Sequence, residues 1–201
     1  MLLLQWLLGI AVAVLLPLAA AAAGRSVAPA ILAHGEEVPL PAYRWVHPPA
    51  DAATADKPAE GIAKTISLAA SDPQSVATAD GQCTVIFKEH SVALKAGESA
   101  VQVRIVPMDP ALVGQAPQGK RFDSNAYRIE ATYVHSGASI VLRGPVSVFM
   151  RAATGGTDIV LRAGAAWKVV QSNGYPLSVM TLDTRSLGAF AVLAPGTPTH
   201  S

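Results

Sequence analysis

Asn125-Ala126-Tyr127-Arg128-Ile129-Glu130-Ala131-Thr132-Tyr133 sets Tyr127, Ile129, Ala131 and Tyr133 against Arg128, Glu130 and Thr132. Side chains alternate across a strand with period 2, so this stretch reads as a half-buried β-strand with one apolar and one polar face. The same alternation recurs on either side of it. Val101, Val103 and Ile105 alternate with Gln102, Arg104 and Val106, and Val146, Val148 and Met150 oppose Ser147, Phe149 and Arg151. Cys83, Val85 and Phe87 share one face of a shorter strand, Ile62, Ile66 and Leu68 open the series, and Gly188 to Leu193 closes it. Eight to ten short strands over residues 62–194, with no helix among them, predict an antiparallel sandwich or barrel. The turns carry their own signals. Asn173-Gly174 between Trp167-Lys168-Val169-Val170 and Leu177-Ser178-Val179-Met180 predicts a two-residue hairpin, because both residues accept φ > 0. Gly164-Ala165 is expected to turn the preceding strand into that of Trp167.

Ahead of the strands the chain changes character twice. Residues 25–61 contain six prolines and nine alanines with no apolar periodicity, so an extended, polyproline-like arm is expected. At ~3.1 Å per residue it would reach on the order of 100 Å. Tyr43, Arg44 and Trp45 interrupt it, and a solvated tether gains nothing from exposed aromatics. These three are therefore the candidate docking residues, packing either on the chain's own domain or on a protein partner. Residues 1–24 carry no Asp, Glu, Lys or Arg and end in a run of alanines. They are long enough to cross a bilayer as an N-terminal apolar helix, and Pro17 followed by Ala21-Ala22-Ala23 equally suits a cleaved export signal. Either way the remainder is expected to work outside the cytoplasm, secreted, periplasmic or at the cell surface. The organisation read from sequence is thus a signal peptide or membrane anchor over 1–24, an arm over 25–61, a β-sandwich over 62–195 and a disordered tail over 196–201.

Composition removes several functions. The 201 residues are 51% hydrophobic and 14% charged, with 15 Lys+Arg against 14 Asp+Glu, so no basic surface argues for nucleic acid. Cys83 is the single cysteine, which forbids an internal disulfide and any multi-cysteine zinc site; on its strand it is expected to be a buried, inert thiol. None of the linear signatures for an esterase elbow, a zinc protease helix, a phosphate loop or a dinucleotide turn occurs. His135-Ser136-Gly137 places a base beside a hydroxyl, but a turn is the expected reading, since strand neighbours point to opposite faces. Asp109 and Asp123 bracket one loop and would suit a calcium or acid–base pair, with turn capping as the favoured role. For metals, a cupredoxin arrangement of Cys, His and Met is excluded by spacing. A copper site remains conceivable at His34, whose amine and imidazole would chelate the ion if processing followed Ala33. Otherwise no cofactor is expected.

Several small motifs align with one family. Gln82 to Leu94 forms a strand followed by Ala-Leu before a Gly-containing turn; Val101 to Pro110 follows V-x-V-x-I-x-P-x-D-P; Asn125-Ala126-Tyr127 opens a central strand. Ser136-Gly137, Pro145-Val146-Ser147-Val148, a lone Trp167 and Leu187-Gly188-Ala189-Phe190-Ala191-Val192 complete the set. Residues 80–194 thereby resemble the β-sandwich domain of ankyrins and netrin receptors and its relatives in bacterial surface proteins. That resemblance implies an immunoglobulin-like sandwich serving as a non-catalytic interaction or scaffolding module, and it carries over no catalytic residue. The chain departs from the pattern in the long loop from Asp109 to Asp123. The expected function is a non-catalytic extracytoplasmic module that binds or braces another protein as a structural subunit at a membrane surface. The alternatives are a copper-binding secreted protein or an enzyme whose site assembles only in three dimensions.

Overall fold

The computed structural model describes residues 40–50, 52–170, 172–175 and 178–196. The apolar segment 1–24, His34 and the tail beyond Gly196 lie outside these residues. Among the described residues there are twelve strands and one helical turn, and no helix is long and apolar enough to cross a membrane. In chain order the strands are β1 (Ile62–Ser67), β2 (Gln74–Ala77), β3 (Cys83–Phe87), β4 (Ala100–Met108), β5 (Lys120–Phe122) and β6 (Ala126–Tyr133). They continue as β7 (Val146–Arg151), β8 (Asp158–Ala163), β9 (Ala166–Val170), β10 (Asn173–Tyr175), β11 (Val179–Thr184) and β12 (Gly188–Pro195). The helical turn α1 (Pro110–Val113) falls between β4 and β5.

All pairings are antiparallel and build two sheets, not a barrel. One runs β1-β4-β6-β12-β8-β9, with β5 also on β12; the other runs β10-β11-β7-β3-β2. The alternation seen in the sequence decides which faces meet. Val101, Val103 and Ile105 of β4 and Ile129, Ala131 and Tyr133 of β6 turn inward from the first sheet. Val85 and Phe87 of β3, Val146, Val148 and Met150 of β7 and Leu182 of β11 meet them from the second. Burying each such side chain contributes about 1.5–3 kcal/mol, so this shared interior is the main source of cohesion between the sheets. Cys83 lies within it, fully buried as expected.

Two local expectations meet different fates. Gly164 does turn β8 into β9: it adopts φ 61, and Ala163 faces Ala166 across the reversal. Asn173-Gly174 is not the predicted hairpin turn. After β9 the chain changes sheets, and Asn173 and Gly174 are strand residues opposite Thr181 and Met180. The reversal falls instead between Tyr175 and Val179, where Ser178 takes φ 58. A locally favoured turn has given way to the pairing that puts β10 on the edge of the second sheet.

Beneath the first sheet there is a further layer. β12 is buried at six consecutive positions from Ala189 to Ala194, which alternation alone does not produce. Phe190 and Val192 face the shared interior, whereas Ala189, Ala191 and Leu193 face a second cluster with Val160 and Trp167. Val113 and Ala116 from the segment after β4 cover that cluster. The segment read as a plain loop is therefore a lid on the outer face of the sheet.

Candidate functional site

β6 organises a cluster of side chains and turns at each of its ends. Its N-terminal end begins in a bulge. Phe122 pairs with Leu193 and Tyr127 with Phe190, so the four residues 123–126 stand opposite only Ala191 and Val192. Extra residues on one strand interrupt the ladder and re-aim side chains, and here polar side chains repair it. Asp123 N donates to Val192 O (2.8 Å), Val192 N donates to Ser124 Oγ (2.8 Å), and Ser124 Oγ donates to Asn125 O (2.7 Å). The Asp123 carboxylate, fully buried, accepts from Thr154 N (3.2 Å), Thr154 Oγ1 (2.6 Å), Gly155 N (2.8 Å) and Arg121 Nη1 (3.2 Å). A buried carboxylate is tolerated when it is paired and hydrogen-bonded in this way.

The bulge aims Asn125 at the arm. Asn125 Nδ2 and Gln82 Nε2 both donate to Arg44 O (2.7 and 2.9 Å), while Arg44 N donates to Gln82 Oε1 (2.6 Å) and Val46 N to Asn125 Oδ1 (2.9 Å). Two side-chain amides thus stand in for a neighbouring strand and satisfy the main chain of residues 44–46. Tyr43 Oη accepts from Asn125 N (3.2 Å) and lies 3.5 Å from Tyr127 Oη, which accepts from Gln82 Nε2 (2.9 Å). The Tyr43 and Trp45 rings pack at 4.6 Å, the Arg151 guanidinium sits 5.7 Å from the Tyr43 ring, and Arg151 Nη2 donates to Pro41 O. Burial, reinforced by the neighbouring Tyr127, raises the Tyr43 phenol well above its usual value; burial likewise raises Tyr127. Burial, with the Asp80 charge adding to it, also pushes the Cys83 thiol up, which keeps it unreactive.

The aromatic patch packs on the chain's own domain, one of the two alternatives expected of it. Tyr43 and Trp45, considered as docking residues for a partner, are 3% and 7% exposed and docked on the chain's own domain. The main chain of Arg44 is clamped and its side chain half-buried. The packed unit accordingly reaches back past the expected boundary at residue 61. Gln82 and Asn125, which make the dock, were not singled out in the sequence. Their one legible signal is an amide immediately before an apolar strand residue in each case.

The remaining candidates are structural. Asp109 caps α1, accepting from Ala111 N (2.8 Å), and Asp123 is hydrogen-bonded within the bulge. His135 and Ser136 form the expected turn: their N–H groups donate to Glu98 (2.9 and 2.8 Å), and Gly137 takes φ 66. Desolvation acts to raise the Glu98 carboxyl, but hydrogen bonds from Ser136 and His135 outweigh it and hold the group below its ordinary range. Among the described residues no three His, Cys, Asp or Glu side chains are grouped to hold a metal.

The other end of β6 is built differently. Tyr133 Oη donates to Ala93 O (2.7 Å), Ala93 N donates to Val141 O (2.8 Å), and Val134 N donates to Ala100 O (3.1 Å). These bonds gather the turns at residues 93–95, 98–100 and 134–141. Leu94, Val134 and Val141 on them are 68%, 55% and 62% exposed. Neither a protein-family model nor a curated protein matches the chain.

Proposed function

We propose that this protein is a non-catalytic, extracytoplasmic, immunoglobulin-like β-sandwich module that braces a protein partner at a membrane surface. The observation that carries the reading is the division of labour along β6. The arm is locked to one end through Tyr43, Trp45, Gln82 and Asn125, and the apolar trio Leu94, Val134 and Val141 is presented at the other. An arm fixed at one end of β6 and exposed aliphatics at its other end suit a spacer that holds that second end against another protein. The polar side chains of Asp123, Asn125 and Gln82 are spent on backbone groups and neighbouring side chains, which favours binding over chemistry. The resemblance to the ankyrin and netrin-receptor β-domain agrees with a scaffolding role.

Purification of the full chain from membranes in mild detergent tests this. A stoichiometric partner is expected, lost from the Leu94→Asp/Val141→Asp variant and retained by Leu112→Asp, which alters a residue 88% exposed on α1. A monomeric, freely soluble mature protein, or a partner equally retained by both variants, would overturn the proposal.

A further inference from the structure

Alongside β6, from Arg128 to Thr132, lies a groove of about 610 Å³. It opens where Ser139–Leu142, bridged to β6 through Thr132, diverges from the start of β12, which pairs with β6 only at residues 127–129. Its size falls in the ~300–1,000 Å³ range of small-ligand sites. Its lining is chemically divided. Arg128, Arg162 and Arg185 line it together with a single carboxylate, Glu130, while Ile140, Leu142 and Leu187 supply apolar surface.

The three arginines are not equivalent. Arg128 lies 3.9 Å from Glu130, but neither Arg162 nor Arg185 has a carboxylate partner among the described residues. Arg162 is half-buried, with its guanidinium 5.8 Å from the Trp167 ring and its Nη1 buried without a hydrogen-bond partner. Gly114 makes room for that group: a Cβ there would stand 2.6 Å from Arg162 Nη1. Stacked on Trp167 and slotted past Gly114, the guanidinium is held in place before any ligand arrives. A half-buried cation without a counter-ion is costly, and an oxyanion that accepts from it recovers that cost through charge-assisted hydrogen bonds.

We propose that this groove binds an amphipathic organic anion, its oxyanion head on Arg162 and Arg185 and its apolar body against Ile140, Leu142 and Leu187. The head alone is too screened by water to bind well, and the apolar wall alone is too small. The ligand class is therefore a carboxylate or phosphate carrying a short hydrocarbon body.

Calorimetric titration of the full chain with octyl phosphate below its micellar concentration, inorganic phosphate and 1-octanol tests the assignment. Saturable one-to-one binding is expected for octyl phosphate only. Arg162→Gln and the more exposed Arg185→Gln should each weaken it at least tenfold, and Arg104→Gln, on the same sheet face but outside the groove, should leave it unchanged. Inorganic phosphate binding as tightly as octyl phosphate, or unchanged affinity in Arg185→Gln, overturns the proposal. So does preference for a hexaglutamate peptide, which would point to a protein ligand instead.

Discussion

The two ends of β6 lie only roughly 25 Å apart, at ~3.3 Å per residue over its length, yet they solve opposite problems. At the Asn125 end, an irregular bulge is made rigid by polar side chains that replace missing ladder partners, and two aromatic rings from a distant part of the chain seal it. At the Val134 end, ordinary turn hydrogen bonds close the backbone, and the aliphatic side chains are left in water. The first end gains stability from groups that sequence distance keeps apart, Arg44 and Asn125 being 81 positions apart. The second forgoes burial that it could have had. The arm end also exposes Leu40 and Val46, but less than Leu94, Val134 and Val141 are exposed at the other, so the contrast is one of degree in exposure and of kind in the buried amides.

The sharpest way to break this comparison is to unseal the arm. Trp45→Ala should destabilise the fold by about 3 kcal/mol, the usual cost of deleting a buried aromatic, whereas Val134→Ala at the other end should change stability by less than about 0.5 kcal/mol. Denaturant titration of both variants measures the difference, and equal effects would mean that the arm is not part of the folded unit.

Removing the clamp while keeping the rings is gentler. Asn125→Ala deletes the donor to Arg44 O and the acceptor for Val46 N, with an expected loss of about 2 kcal/mol, because the orphaned backbone groups keep part of their burial. Limited tryptic digestion should then cut after Arg44 faster than in the wild-type protein, since cleavage tracks the population with the arm detached.

Acid and base should separate the ends by sign. Tyr43 and Tyr127 have raised folded values, so their contribution is fully present below the ordinary phenol value of ~10 and is lost as pH rises beyond it towards the folded value. One pH unit above ~10, each buried tyrosine should cost about 1 kcal/mol. Tyrosinate absorbance should therefore rise in a second phase that coincides with unfolding. Glu98 at the opposite end has a lowered folded value; its contribution is present above the ordinary ~4.3 and fades as pH falls through the folded value. Glu98→Gln should flatten the acid limb and leave the alkaline one untouched.

The same contrast explains what could be read in advance. Regular alternation made β4, β6 and the inward face of β7 legible, because period 2 reports directly on which face is buried. The Gly164 turn was legible because its φ 61 is a local requirement. Asn173-Gly174 carried an equally strong local signal and misled, since the sheet change after Val170 is decided by tertiary pairing. The bulge at 123–125 was hidden for a related reason. Asp, Ser and Asn in succession resemble an exposed turn, and only a register shift of two residues against β12 puts them inside. Tyr43 and Trp45 announced that they must pack somewhere, but the amides that receive them sit 38 or more positions away, beyond any local pattern.

The smallest stability effect is also the most informative about purpose. Leu94→Asp/Val141→Asp replaces two side chains that are already 68% and 62% exposed, so no cavity forms and no buried partner is lost. The folded protein should keep its stability to within about 0.5 kcal/mol, measured by denaturant titration, and aggregate less readily when concentrated. Under the proposed function, aliphatics that stabilise nothing in the isolated chain are there to be covered by a second surface. Should the double variant instead lose 2 kcal/mol or more, the trio would be packing within its own domain, and the two ends of β6 would differ in architecture alone.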